Sequence, residues 1–315
     1  MPAVVMFGIT FLIGTFSGSN YFTNILIVIL LHAMPAIGLS LLVGYTGQIS
    51  LGHAAFYGLG AYGAALMSTR GHIDPWLSII AATLFVSLIG YGIGWIIFRV
   101  RGHHLAIATL GFGIVISVAF VEMRQWTGGP NGLTGIPPLR IAGFALDSDA
   151  RFFFVAWGAC LLAYMAAINL VRSPIGLLMR GVAESERAAG ALGTDVPAFK
   201  RTILMFSAAM AAFAGGLYAH YIGFISPQPF GTGFSIRLLL MVAIGGFQSI
   251  PGVLLGTAFV TAITEPLQQL GYFDVVMFGL LLILIMIWFP RGLFIGLVGL
   301  LSFRRKVPGA SEAAP

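Results

Sequence analysis

Long stretches of this chain contain no charged side chain. Asp, Glu, Lys and Arg are absent from residues 1–69, 75–98, 102–121, 152–171, 202–236 and 238–264. An α-helix needs about 20 predominantly apolar residues to cross the hydrocarbon layer of a bilayer. The tracts of 24, 20 and 20 residues therefore predict one crossing each, whereas the tracts of 69, 35 and 27 residues must fold back at least once.

The composition excludes a water-soluble globular domain. Of the 315 residues, 58% are hydrophobic and only 8% are charged, whereas a typical soluble domain has about 25% charged residues. Intrinsic disorder requires the opposite balance, with low hydrophobicity and high net charge. A transmembrane β-barrel requires alternating segments of about 10 residues, and runs such as FGLLLILIMIWF (278–289) do not alternate. The sequence predicts an all-α polytopic membrane protein.

Gly, Pro and Asn breaks divide the apolar tracts into about ten transmembrane helices. The first, eighth and tenth are short for a full crossing, so broken or half-spanning segments are expected there. Together they form one membrane domain, residues 1–303, which is followed by a short tail, residues 304–315. The predicted spans are 3–16, 25–43, 53–67, 76–98, 105–121, 152–171, 202–224, 235–249, 253–270 and 275–289.

The distribution of basic residues predicts the orientation of the chain. An even number of crossings places both termini on one side, and that side receives eleven of the sixteen Lys and Arg residues. Because cytoplasmic loops are rich in Lys and Arg, we expect both termini and the tail in the cytoplasm. The long loop 122–151 is then external, and the long loop 172–201 is cytoplasmic. The net charge of +6 reflects this topology, and no nucleic-acid partner is expected.

A glycine-rich stretch, GYTGQISLGHAAFYGLGAYG (44–63), has two interpretations. Small residues let membrane helices pack closely. Alternatively the helix is broken, because polar side chains occur in this apolar region and irregular backbone at membrane depth must be buried or line a cavity. A second interruption, GGFQSIPG (245–252), suggests paired breaks around a transport path. The candidate path residues are Gln48, Ser50, His53 and Gln248.

The loop 172–201 contains signals for its own helices. Ser173 before Pro174 is typical of an N-cap followed by the first helical residue. Gly193 is a candidate C-cap, and Asp195 precedes the start of the next helix. The sequence therefore predicts one or two short helices between Pro174 and Gly193.

These short helices have the composition of a docking surface for another protein. Ala188, Ala189 and Gly193 would leave an exposed flank of small residues that a partner can approach closely. Polar contacts would come from Arg180, Glu184, Glu186 and Arg187. A solvated amphipathic loop without a partner fits the same pattern.

Several sequence blocks carry a family resemblance. They are AIGLSLLVGYTGQISLGHAAFYGLGAY (36–62), LAIATLGFG (105–113), TGGPNGLTGIP (127–137), SAAMAAFAGGLYA (207–219), FISPQPF (224–230), SIRLLLMVAIGG (235–246) and FPRGL (289–293). Together they resemble the LivM type of permease, a membrane subunit of ABC importers for branched-chain amino acids. In the 172–201 loop, the family's ATPase-docking segment resembles Arg180, Glu186, Ala188, Ala189 and Gly193. The chain departs from the family pattern at Ala183, Gln248 and His103-His104.

The resemblance implies partners and a substrate class. The permease would form the translocation path for Leu, Ile and Val and would be driven by two separate cytoplasmic ABC ATPase subunits. A second homologous permease of the LivH type, a soluble periplasmic substrate-binding protein and a location in the bacterial inner membrane are also implied. Urea or short amides are the alternative substrates, because related permeases transport them.

The energy source is expected to lie outside this chain. A P-loop requires Gly-Lys-Ser/Thr, and neither lysine, Lys200 or Lys306, occurs in that context. We expect no enzyme activity, no metal site and no cofactor, with ATP used by partner subunits. Arg237 and Glu265 are the charges nearest to span interiors. Glu265 either ends a helix or lines a buried path, and the second case would suit an ion-coupled carrier as the alternative mechanism.

Overall fold

The computed structural model describes residues 2–16, 20–99, 103–141, 144–268 and 279. Twelve α-helices lie in the described residues, and a π-helical turn, Leu41–Tyr45, continues the second of them. The helices are α1 (Pro2–Phe16), α2 (Asn20–Ser40), α3 (His53–Thr69), α4 (Pro75–Ile97), α5 (His103–Glu122), α6 (Arg124–Thr127), α7 (Asp149–Arg172), α8 (Pro174–Glu184), α9 (Glu186–Ala191), α10 (Val196–Ile222), α11 (Thr232–Gly245) and α12 (Ile250–Gln268).

The all-α polytopic prediction is confirmed. Five described stretches are long and apolar enough to cross a bilayer, and α11 and α12 are shorter apolar helices. Nine of the ten predicted spans overlap α1 to α5, α7 and α10 to α12. The tenth, 275–289, and the tail 304–315 lie outside the described residues apart from Gly279. The five long stretches are Asn20–Tyr45, Pro75–Ile97, His104–Glu122, Asp149–Arg172 and Val196–Ile222.

Helix α10 is the centre of the bundle, and it packs along α2, α3 and α4. Close approach depends on small residues. A Cβ atom at Gly60 of α3 would collide with the backbone of Ala212, and one at Gly215 of α10 would collide with the backbone of Tyr57. The second half of the glycine-rich stretch 44–63 thus serves close helix packing, as small residues do in membrane bundles.

The connection between α5 and α7 folds over one end of the bundle. It contains α6, one antiparallel strand pair and one strand of a second pair, whose partner strand follows α10. Strand β1 (Leu133–Thr134) pairs with β4 (Phe224–Ile225), and β2 (Arg140–Ile141) pairs with β3 (Phe144–Ala145). Because β4 directly follows α10, this connection is fixed at the C-terminal end of the central helix.

Helices α8 and α9 lie at the opposite end, where α10 begins. The Oγ atom of Ser173 accepts a hydrogen bond from Ile175 N at 3.2 Å, and Pro174 is the first residue of α8. The Asp195 carboxylate accepts from Ala198 N at 3.1 Å and caps α10. Gly193, with φ of +88°, follows α9 in the left-handed region that favours glycine. The predicted helices and the N-caps Ser173 and Asp195 are therefore present, whereas the C-cap of α9 is Leu192, one residue before Gly193.

Candidate functional site

The glycine-rich stretch 44–63 begins with a break in the helical backbone. Helix α2 ends in the π-helical turn Leu41–Tyr45, and no helix resumes before His53. We call residues 46–52 the broken segment. Gly47 has φ of +69°, a conformation that a residue with a side chain rarely adopts. The Thr46 hydroxyl donates to Leu42 O of the π-helical turn at 2.5 Å.

A buried chain of polar side chains holds the end of the broken segment. Ser50 Oγ and His53 Nδ1 are hydrogen-bonded at 3.2 Å, and His53 Nε2 and Ser207 Oγ of α10 are hydrogen-bonded at 2.5 Å. All three side chains are buried. Three candidate path residues are thus buried here: Gln48 and Ser50 in the broken segment, and His53 as the first residue of α3. A membrane protein tolerates such irregular backbone when the surrounding protein satisfies its polar groups.

Neighbouring helices also bond the backbone of this region. Leu51 N donates to Thr109 Oγ1 of α5 at 3.0 Å, and Ala54 N donates to Ser235 Oγ of α11 at 3.0 Å. These hydroxyls satisfy backbone donors that the interrupted helix leaves without intrahelical partners. The end of the broken segment is therefore held by α5, and the start of α3 is held by α10 and α11. Thr109 and Ser235 are not among the predicted site residues, because a single hydroxyl on an apolar helix gives no sequence signal.

The second predicted interruption contacts the first. Residues 246–249 form the turn between α11 and α12. Ser40 Oγ donates to Phe247 O at 2.9 Å, and Tyr45 Oη donates to Gln248 O at 2.6 Å. Gln248 participates through its backbone carbonyl, and the residue is exposed. The two interruptions, about 200 residues apart in the sequence, thus form one contact region.

Helix α9 is joined to the broken segment through Glu186. The amide Nε2 of Gln48 lies 3.4 Å from Glu186 Oε1, and Lys200 near the start of α10 forms an ion pair with the same carboxylate oxygen. Lys200 is only 4% exposed, and Glu186 is half-buried. Residues predicted separately, Glu186 for docking and Gln48 for the path, are therefore in contact.

Lys200 is a residue that the site prediction misses. It lies fourteen positions after Glu186 and on a different helix, so no local spacing connects the two. The sequence offers one chemical reason to expect a partner for Lys200. A lysine at the start of an apolar helix is almost never buried without a partner, and Glu186 is the partner in this structure.

The outer face of α8 and α9 is exposed. Arg180, Glu184, Arg187, Ala188 and Gly193 are all exposed. Ala189 is only 6% exposed because it packs against Val182 and Val196, so the prediction that it belongs to the exposed flank is wrong. Leu192, absent from the predicted set, is 87% exposed beside Gly193. An apolar side chain next to a helix-ending glycine was the signal available in the sequence.

Ala189 faces inward because the helix is interrupted just before it. Ser185 interrupts the helix between α8 and α9, with φ of −157° and ψ of 106°, and its Oγ accepts from Ala188 N at 3.2 Å. Because α9 starts anew at Glu186, the turns of α8 do not set the directions in which the side chains of α9 point. The periodicity of a continuous helix therefore does not predict which face Ala189 occupies.

The opposite end of the bundle contains a cavity of about 530 Å³ between α2, α3, α10, α11 and α12. Arg237 and Glu265, which the sequence analysis singles out, both line it. Tyr57 in its wall is four residues after His53, one turn along α3. The cavity is thus one helical turn, about 6 Å, from the polar chain of the broken segment. Among the described residues, no group of three or more His, Cys, Asp or Glu side chains is placed to hold a metal ion.

The fold and the site define a class of protein. A polytopic helical bundle with a buried discontinuous helix beneath a polar cavity has the architecture of a membrane transport protein. No solved structure matches the chain.

The comparisons with known proteins identify the family. The family described as branched-chain amino acid transport system, permease component, matches residues 21–288. The high-affinity branched-chain amino acid transport system permease protein LivM of Escherichia coli strain K12 is 31% identical over 287 residues, which cover 84% of this chain and 68% of LivM. LivH of Salmonella typhimurium is 28% identical over 83% of this chain and 90% of LivH. BraD of Pseudomonas aeruginosa is 28% identical over 83% of this chain and 91% of BraD. The chain belongs to the family of permease components of branched-chain amino acid transport systems, and the resemblance to the LivM type is confirmed.

Proposed function

We propose that this permease forms part of the translocation path of an ABC importer for branched-chain amino acids. A second permease of the LivH type would complete the path, two ATPase subunits would dock on α8 and α9, and a soluble periplasmic protein would deliver the substrate. Family membership and the branched-chain amino acid transport systems to which LivM, LivH and BraD belong support the substrate class. The observation that carries the mechanism is the shared contact of Glu186 with Gln48 and Lys200.

This contact provides a route from the docking surface to the broken segment. Movement of α9 carries the Glu186 carboxylate, which bonds to both the broken segment and the start of α10. The remaining anchors of the broken segment are single hydrogen bonds, each worth about 0.5–1.5 kcal/mol net. A few such bonds can exchange partners without unfolding the bundle. The broken segment is therefore the element that we assign as the gate.

The orientation in this proposal puts α8 and α9 in the cytoplasm and the 530 Å³ cavity toward the outside. The excess of Lys and Arg on the α8–α9 side supports it. Residues 1–303 would then be the membrane domain of an inner-membrane protein, with residues 304–315 as its cytoplasmic tail.

Reconstitution of the whole importer in proteoliposomes tests this function. The permease pair, the ATPase subunits and the binding protein are assembled, and uptake of labelled leucine is measured with ATP supplied on the ATPase side. We expect uptake that requires hydrolysable ATP and every subunit, and that persists when proton and sodium gradients are dissipated. Leucine uptake by this permease alone, driven by an ion gradient, would contradict the proposal and support an ion-coupled carrier. Uptake of urea or acetamide in preference to leucine would assign the alternative substrate class.

A further inference from the structure

The 530 Å³ cavity brings together one cationic and one anionic side chain. Arg237 projects from α11 and Glu265 from the last turns of α12, and both line the cavity together with Asn24, His32, Tyr57 and Tyr218. Its volume lies within the range of about 300–1,000 Å³ that is typical of small-molecule sites. The cavity is therefore large enough for one amino acid with some water.

Arg237 and Glu265 interact through space, but within the described residues neither charge is engaged in an ion pair. A charged side chain in a membrane-spanning bundle is costly, and it is retained where it faces a partner or a transport path. Two opposite charges that share one cavity without pairing can both engage a ligand that carries both signs.

Two further polar atoms in the cavity wall have no hydrogen-bond partner in the part of the chain that the structure describes. The hydroxyl of Tyr57, a residue only 2% exposed, has no hydrogen-bond partner among the described residues, and the same holds for the Nδ1 atom of His32. Both side chains line this cavity. A buried polar group without a partner is destabilising. These atoms therefore point to a polar ligand or to water that the ligand displaces.

An aromatic cluster forms the apolar part of the wall. The ring centroid of Tyr57 is 5.1 Å from that of Phe234 and 5.7 Å from those of Tyr218 and Phe230. The His32 ring is 4.9 Å from that of Phe234. The cavity thus combines separate charges with an aromatic surface that an aliphatic side chain can contact.

We propose that this cavity binds the transported amino acid as a zwitterion. Arg237 binds its carboxylate, Glu265 binds its ammonium group, and the Tyr57–Phe234 surface contacts its aliphatic side chain. The inference rests on the proposed function and adds a ligand site to it. The inference also distinguishes branched-chain amino acids from urea and short amides. Those compounds carry no charged groups, so Arg237 and Glu265 would contribute little to their binding.

Competition binding to the permease complex without the binding protein tests the assignment. Labelled leucine is bound to the purified complex in nanodiscs and displaced by leucine, by leucinamide, which lacks the carboxylate, or by 4-methylpentanoate, which lacks the ammonium group. In the wild type, leucine should compete better than leucinamide, because only leucine has a carboxylate for Arg237. In Arg237→Gln we expect the affinity of leucinamide relative to that of leucine to rise at least about tenfold, because the partner of the carboxylate is gone. In Glu265→Gln we expect the affinity of 4-methylpentanoate relative to that of leucine to rise by the same factor. Arg124→Gln and Glu122→Gln, which change exposed charges outside this cavity, should leave both ratios unchanged.

The outcomes separate this proposal from the proposed function. Equal loss of affinity for all three compounds in both variants would indicate a structural role and overturn the zwitterion site. Unchanged competition ratios, in a complex that still transports leucine with ATP, would also overturn the site while the proposed function stands. A wild-type complex without ATP-dependent leucine uptake would instead contradict the proposed function.

Discussion

Glu186 combines two tasks in one side chain. Its backbone belongs to α9 at the exposed end of the bundle, while its carboxylate reaches Gln48 and the buried ammonium group of Lys200. Removing one partner of a buried ion pair costs about 3–5 kcal/mol when both groups are fully buried. The cost is smaller here, because about a third of the Glu186 side chain is exposed and solvent screens it.

The substitution Glu186→Gln tests this contact. We expect ATP-driven leucine uptake to fall by about tenfold or more, equivalent to about 1.4 kcal/mol, while the ATPase subunits still co-purify. Glu184→Gln is the matched control, because Glu184 is exposed and forms no ion pair with another described residue. Equal losses in both variants would indicate a surface contact with a partner, and normal uptake in Glu186→Gln would exclude the proposed route.

At the scale of single residues, the sequence predicts which polar side chains are buried better than it predicts which residues they contact. Polar residues in an apolar tract identify Gln48, Ser50 and His53 because such groups must be satisfied internally. The partner of His53, Ser207, lies 154 residues away in the sequence, and the partner of Gln48, Glu186, lies 138 residues away, so no spacing rule relates them. Contacts of that separation are set by helix packing, which the pattern of a single helix does not contain.

The helices themselves follow closely from local signals. Charge-free tracts predict the spans, and Ser173, Pro174 and Asp195 mark the starts of α8 and α10. The two interruptions are also visible as polar and glycine-rich stretches. Their mutual contact, through Tyr45 and the Gln248 carbonyl, is not visible, because it depends on the packing of α2 against the α11–α12 turn.

The proposed docking of the ATPase subunits on the exposed face of α9 can be tested separately. Ala188→Trp places a large side chain on an exposed position of α9, so we expect loss of ATPase co-purification and of uptake with normal membrane insertion. Ala150→Trp is the control, because Ala150 is also exposed but lies at the start of α7, at the other end of the bundle. Pull-down of the ATPase subunits from detergent extracts gives the readout. Undiminished ATPase binding by Ala188→Trp would contradict docking on this face.

Three groups of polar contacts lie one after another along α10. This helix has 27 residues, a length of about 40 Å, which exceeds the hydrocarbon thickness of about 30 Å. Lys200 and Glu186 lie at its beginning, Ser207 and the broken segment follow, and Tyr218 in the cavity wall lies near its end. Because α10 is one continuous helix, it connects the Lys200 end of the bundle to the cavity wall without an intervening loop.

This arrangement transports substrate inward only if the α9 end faces the cytoplasm, so orientation is its strictest test. Cysteines are introduced as Leu192→Cys or Phe144→Cys, at positions 87% and 73% exposed, in a Cys160→Ala background that removes the chain's only native cysteine. In spheroplasts we expect a membrane-impermeant maleimide to label the Phe144→Cys chain directly. The Leu192→Cys chain should react only after the membrane is permeabilised, because the proposed orientation puts its side chain in the cytoplasm. The reverse pattern would put α8 and α9 outside the cell, where no ATP is available to drive them, and the coupling through Glu186 would lose its energy source.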